Sequence, residues 1–147
     1  MIKNLTVYCS AGKKVDKREI HSLVKDLKSL LKFEIVSFDI NFISSEDIIS
    51  INSKYLRHKC TTDIITFNYS GECFNFDGEI FISMDDAGEN AKKFKVSFDN
   101  EIVRLVVHGI LHMLGYDDVT KIKRNKMKIM EDDLVNKFQK KYRKLVL

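Results

Sequence analysis

Residues 98–107 contain neither glycine nor proline, and Ile102, Leu105, Val106, Gly109 and Met113 recur at steps of three and four. That spacing predicts a buried helix, because a 3.6-residue period is what keeps such positions on one face. The same helix carries His108 and His112, four residues apart, so both rings project from one face on successive turns. Gly115 follows three residues on, and a residue without Cβ takes the left-handed conformation that ends a helix at little cost. The chain then turns back and presents Asp118 to the same point in space. Two imidazoles and a carboxylate suit Zn²⁺ with one coordination position left open. One histidine on an apolar helix is commonly a hydrogen-bonded core residue. A pair at this spacing, followed by a breaker and an acid, is a more specific pattern.

The spacing H-x-x-x-H-x-x-G-x-x-ligand is that of the long zinc-peptidase signature, with one departure. The peptidase motif sets a glutamate directly after the first histidine as general base. Here that position is Gly109, which cannot move a proton. The scaffold is that of a metallopeptidase helix without peptidase chemistry.

At 147 residues the chain makes one domain, 1–147, large enough to bury about two-thirds of its unfolded surface. No stretch approaches the ~18 apolar residues of a membrane span, and the first residues do not lead into a signal-peptide core, so a cytoplasmic location and no membrane partner are expected. Cys9, Cys60 and Cys73 are odd in number and form no C-x-x-C pair, which reads as reduced thiols. The net charge of +4 is mild but unevenly spread. From Lys121 onward, basic residues such as Lys121, Lys123, Arg124, Lys126 and Lys128 outnumber Glu131, Asp132 and Asp133. Such an excess on one element can follow a phosphate backbone, although a solvated helix face explains it equally simply.

In chain order, alternation over 2–8 predicts a strand, and Asp16 caps a helix to about Lys32 with Ile20, Leu23, Val24, Leu27, Leu30 and Leu31 along its buried stripe. His21 falls on the polar side, where it is expected to be solvated. Residues 33–43 are strand formers, with Ile35, Phe38 (or Ile40) and Phe42 as core contacts. Ser44 or Ser45 caps a second helix carrying Ile48, Ile49, Ile51 and, further on, Tyr55 and Leu56. Strands at 63–69 and 78–83, joined by a turn at Ser70-Gly71, pair as a hairpin. Asp85 begins a third helix, Asp99 caps the histidine helix, and a basic helix closes the chain. This order predicts an α+β domain: a four-stranded mixed sheet packed with helices, one of them a zincin-like metal helix.

Three ordered motifs carry a family resemblance. His108-Gly109-Ile110-Leu111-His112-Met113-Leu114-Gly115-Tyr116-Asp117 resembles the signature of the YbeY family of bacterial endoribonucleases. Asn52-Ser53-Lys54-Tyr55 followed by Thr62-Asp63-Ile64-Ile65-Thr66-Phe67 is similar to its N-x-x-Y…T-D-V-L-S-F segment, and Gly78-Glu79-Ile80-Phe81-Ile82-Ser83 to its G-D-I-x-I-S strand. The resemblance implies a cytosolic, single-strand-specific metal-dependent RNase. Its RNA would be ribosomal RNA of the small subunit, matured at the 3′ end, with a role in ribosome quality control and no DNA substrate. It also implies zinc held by His108, His112 and the residue at 118.

That residue departs from the family pattern, which has a third histidine there. Asp118 is a competent ligand that lowers the site's charge and shifts preference toward harder ions such as Mn²⁺. Asp117 is a rival, at the offset of a family aspartate that supports a ligand instead of binding metal. The arginine that follows the family's N-x-x-Y is Leu56 here, and Arg57, His58 and Lys59 come next. Arg57, Lys59 and basic residues of the last helix, among them Lys121 and Arg124, are the expected phosphate contacts. Asp63 and Glu79 are the candidates for general base, each with a plain structural alternative as a turn or sheet-edge residue. Tyr55, Phe67 and Tyr116 are offered as base-stacking residues, with burial in the core the commoner role for such rings. The competing functional class is a metal-stabilised, ribosome-associated RNA-binding factor with little nuclease activity.

Overall fold

A computed structural model describes residues 1–57 and 60–147. The elements run β1 (Leu5–Cys9), α1 (Lys17–Leu31), β2 (Glu34–Ile43), α2 (Ser45–Leu56), β3 (Ile64–Asn68), β4 (Asn75–Ser83), α3 (Met84–Phe94), α4 (Phe98–Met113) and α5 (Lys121–Phe138). The class is α+β, around a four-stranded mixed sheet of order β1-β2-β4-β3. β1, β2 and β4 are parallel neighbours, and β3 returns antiparallel to β4 as the edge strand.

Strand alternation divides the sheet into two unequal faces. From β4, Phe76, Ile80 and Ile82 enter the main core with α1, α4 and α5. Phe81 points the other way and joins Phe67 and Ile51 around Ile43, Ile48 and Ile65, a smaller cluster beneath α2. In β2 the register slips between Ile35 and Ser37. This bulge changes the phase of the alternation, so Ile35, Phe38, Ile40 and Phe42 are all buried where a strict period allows one parity.

Several local expectations are corrected. α3 is capped by Ser83, whose hydroxyl accepts from Asp86 N, and α4 by Ser97, which accepts from Asn100 N. Both serines have extended dihedrals, the geometry a capping residue needs. Asp85 instead accepts from Ser45 N at 2.8 Å, and Asp99 from Val146 N at 2.8 Å, so each ties two segments together. Leu30, Ile49, Tyr55 and Leu56 are exposed. His21 is buried, at a surface pocket that it lines with Met1 and Ile2, and its Nδ1 has no protein partner. Burial, followed by the nearby N-terminal charge, lowers its pKa.

α4 is buried nearly all round, from Ile102 and Val103 through Val107 to Ile110, Leu111 and Met113. A helix of that kind belongs inside a domain. It reaches the sheet at Gly109, where a Cβ would stand 2.4 Å from Ile80 Cδ1 and 3.1 Å from Ile64 Cδ1. The absent side chain lets the helix lie against β3 and β4, and this close approach brings His108 and His112 beneath the sheet edge. Among the described residues, no helix is long and apolar enough to cross a membrane.

Candidate metal centre

The first expected feature is present: one turn of α4 separates the two imidazoles, and their Nε2 atoms face each other at 3.1 Å. α4 ends at Met113, Leu114 caps it, and Gly115 takes φ +99°, the left-handed turn that redirects the chain. Asp117 and Asp118 follow and diverge. Asp117 is occupied, accepting from Val119 N at 3.1 Å and pairing with Lys123 at 3.5 Å. Asp118 lines the histidine cavity, a space of about 430 Å³.

The facing wall of that cavity comes from the edge strand. Ile64, Thr66 and Asn68 alternate along β3 toward it, with Thr62 and Asp63 just before the strand. Asp63 is therefore brought to the histidines, and its charge acts on His108. Glu79 is not. It pairs in register with Phe67 on the opposite face of the sheet, where Tyr69 Oη donates to it at 2.7 Å and Asn41 Nδ2 at 3.4 Å. The reason is the two-residue period: with Gly78 and Ile80 turned to α4, Glu79 must turn away.

Behind the pair stands a group that sequence reasoning missed. Glu131 of α5 places Oε1 2.5 Å from His108 Nδ1, and its Oε2 accepts from Arg104 Nη1 at 2.8 Å. Arg104 also donates to Asp132 at 2.9 Å. Glu131 occupies the buried stripe Met127, Glu131, Leu134, Val135 and Phe138 of an otherwise basic helix. An acid on the apolar stripe was the available signal.

Electrostatics separate the two rings. Burial pushes His108 down, but the hydrogen bond and charge of Glu131 reverse this, with Asp63 and Asp118 adding, and its pKa is raised. Burial and the neighbouring His108 lower that of His112, against the pull of Asp118. Burial pushes Glu131 up, yet His108 and Arg104 hold it below the usual carboxylate range.

These residues fit a divalent metal at the imidazole pair. Two nitrogens bound at about 2.0–2.1 Å to one tetrahedral ion lie about 3.3 Å apart, close to the 3.1 Å found. A carboxylate on Nδ1 leaves Nε2 as the lone-pair nitrogen, the usual support for a metal-binding histidine. Among the described residues, no three His, Cys, Asp or Glu side chains close on a common point. The imidazoles are assembled, and Asp118 stands at the rim of their cavity.

The expected phosphate contacts are dispersed. Arg57 is exposed at the left-handed C-cap of α2, Lys121 and Arg124 are exposed at the start of α5, and Lys59 lies outside the described residues. Lys123 and Lys126 instead border a second space of about 270 Å³ with Tyr116 and Asp117, across the turn from the histidines. Of the proposed stacking rings, Tyr55 is exposed while Phe67 and Tyr116 are half-buried.

Fold and site define a small α+β domain whose carboxylate-backed histidine pair, under the edge of a mixed sheet, suits a divalent metal. A family model described as endoribonuclease YbeY matches residues 5–139. The chain is 33% identical to the endoribonuclease YbeY of Chlorobium limicola over 134 residues, 91% of this chain and 92% of that one. It is 39% identical to that of Chlorobium phaeovibrioides over 97 residues, 66% and 65% of the two chains, and 41% identical to that of Karelsulcia muelleri over 106 residues, 71% and 74%. The solution structure of TM1509 from Thermotoga maritima shares the fold with a TM-score of 0.59, at 23% identity over 93% of each chain. The chain belongs to the YbeY endoribonuclease family.

Proposed function

We propose that this chain is a single-strand-specific metallo-endoribonuclease of the cytoplasm that matures the 3′ end of small-subunit ribosomal RNA and acts in ribosome quality control. The observation that carries the metal chemistry is the pair of Nε2 atoms facing each other at 3.1 Å with Glu131 behind one ring. Relatives named as endoribonucleases support RNA as the substrate. His108, His112 and Asp118 would hold one ion per chain, Zn²⁺ first and Mn²⁺ or another divalent ion as the alternative for a carboxylate-containing set. When bound, the ion supplies Lewis acidity toward a phosphoryl oxygen and a lowered pKa for water.

The chain's own groups do the rest. Glu131 and Arg104 fix the orientation of His108. Asp63 would accept a proton from the attacking water, a role its position on the cavity wall supports. Thr62, Thr66 and Asn68 give that wall hydrogen-bonding capacity toward the sugar-phosphate chain. Arg57, Lys121 and Arg124 are exposed cations for phosphates further along the strand, which makes binding sequence-tolerant and salt-sensitive.

The test is cleavage of single-stranded RNA by purified protein, with and without chelator, beside His112→Ala. Loss of cleavage in both arms is expected. Activity that survives both belongs to a contaminant, and metal-loaded wild type without activity leaves an RNA-binding factor as the better reading.

A further inference from the structure

Asn90, in the second half of α3, donates through Nδ2 to two acidic side chains on different elements: Asp63 Oδ2 at 3.1 Å and Glu101 Oε2 at 3.2 Å. The chemistry fixes the amide's orientation. Turned over, Oδ1 would set its lone pairs against the Asp63 carboxylate, whereas the NH₂ group has one hydrogen for each acid. Glu101 lies in the first turn of α4 and is 2% exposed, and its Oε1 has no protein partner. Burial raises its pKa and so favours the protonated form, which relieves repulsion between two acids bridged by one amide. Asp63 is also pinned through its main chain, whose carbonyl accepts from Ser83 N at 3.0 Å. Among the described residues, Asn90 is the protein donor to its carboxylate, and the cavity that Asp63 lines is the one holding His108, His112 and Asp118.

We propose that Asn90 is a positioning residue for Asp63: clamped from behind by buried Glu101, its amide holds one oxygen of that carboxylate so that the other faces the histidine cavity. The inference rests on the nuclease reading for its kinetic consequence, not for its geometry. A carboxylate on an edge-strand loop has rotamers that point it away from a reacting atom, and tethering one oxygen removes most of them. The sequence offered no sign of this, since Asp63 lies in the loop before β3, Asn90 on α3 and Glu101 on α4.

Two measurements on the intact, zinc-loaded chain decide it. Asn90→Ala is expected to lower kcat for single-stranded RNA about tenfold or more, part of what a positioned proton acceptor contributes, with KM nearly unchanged. Added to Asp63→Ala, it should cost nothing further. Independently of activity, the Asn90 side-chain NH₂ resonances should respond selectively: Asp63→Ala moves one amide proton and Glu101→Ala the other. That measurement retains Asn90 and so stands even if Asn90→Ala fails to fold. Unchanged kcat in Asn90→Ala, a full additional loss on top of Asp63→Ala, or NH₂ protons indifferent to Asp63→Ala would each overturn the proposal. A wild type that cleaves no RNA sinks the nuclease reading, while the amide protons still decide whether Asn90 holds Asp63.

Discussion

Glu131 Oε1 meets His108 Nδ1 at 2.5 Å across the packing of α5 on α4, joining residues 23 positions apart in the chain. This contact fixes which imidazole nitrogen is free to bind metal, and it couples the basic C-terminal helix to the site. Glu131→Ala is therefore expected to weaken Zn²⁺ binding by about 10–100-fold, the usual cost of losing the group behind a metal-binding histidine. Competition against a chromophoric chelator measures it. Affinity equal to wild type would show that the carboxylate serves only the fold.

The same pair makes the metal-free protein's stability depend on pH in a defined way. Burial opposes both charged forms, but mutual attraction lowers Glu131's pKa and raises that of His108. A depressed carboxyl contributes stability above its ordinary value and loses it as pH falls through the folded-state value. A raised imidazole contributes below its ordinary value and loses it as pH rises through the folded-state value. The joint contribution is thus greatest between the ordinary values of about 4.5 and 6.5. Without metal, Glu131→Gln should be about 1.5–3 kcal/mol less stable than wild type in that window, the scale of a hydrogen bond to a charged group. The gap should narrow toward alkaline pH as His108 loses its proton. Denaturant melts at a series of pH values provide the test, and a gap that widens above neutrality contradicts the pairing.

Much of this site was written in the sequence because its parts are local. The i, i+4 histidines, the continuous apolar run and Gly115 lie on one uninterrupted stretch, and a helix converts that spacing directly into geometry. The β3–β4 hairpin was legible for the same reason. Glu131 was not, because no short-range rule says which helix packs on α4. Glu79 was misplaced because a motif gives position along a strand but not which parity faces the core. The bulge in β2 hid that parity from the neighbouring strand as well. His21 is buried although it falls on the polar side of its helix's period, because that period says nothing of what packs there from elsewhere in the chain.

Gly109 tests the packing account of the departure from the peptidase pattern. A Cβ there would stand 2.4 Å from Ile80 Cδ1, so either the buried Ile80 side chain must turn aside within the packed core or the helix must move off the sheet. Gly109→Ala is expected to cost about 1–3 kcal/mol through overpacking, despite the better helix propensity of alanine. Ile80→Val removes the offending Cδ1, so the double variant should regain part of the loss. A Gly109→Ala protein that melts with wild type would mean α4 has room, and the absent glutamate would then need another explanation.

Glu79 provides the complementary test, of a residue assigned away from the site. Its carboxylate accepts from Tyr69 Oη at 2.7 Å on the far face of the sheet. Partial desolvation of this largely exposed phenol, then this hydrogen bond and the adjacent charge, raise Tyr69's pKa from 10.0 to about 12. Glu79→Gln removes the charge, so the phenol should titrate closer to its ordinary value. Phenolate absorbance, read as a difference against Tyr69→Phe, isolates this group. Because strand alternation points Glu79 away from His108 and His112, RNA cleavage by Glu79→Gln should stay within about twofold of wild type, whereas a general base contributes about 10²–10⁴. A loss approaching that range would return Glu79 to the chemistry, and it would require β4 to present its other face to α4.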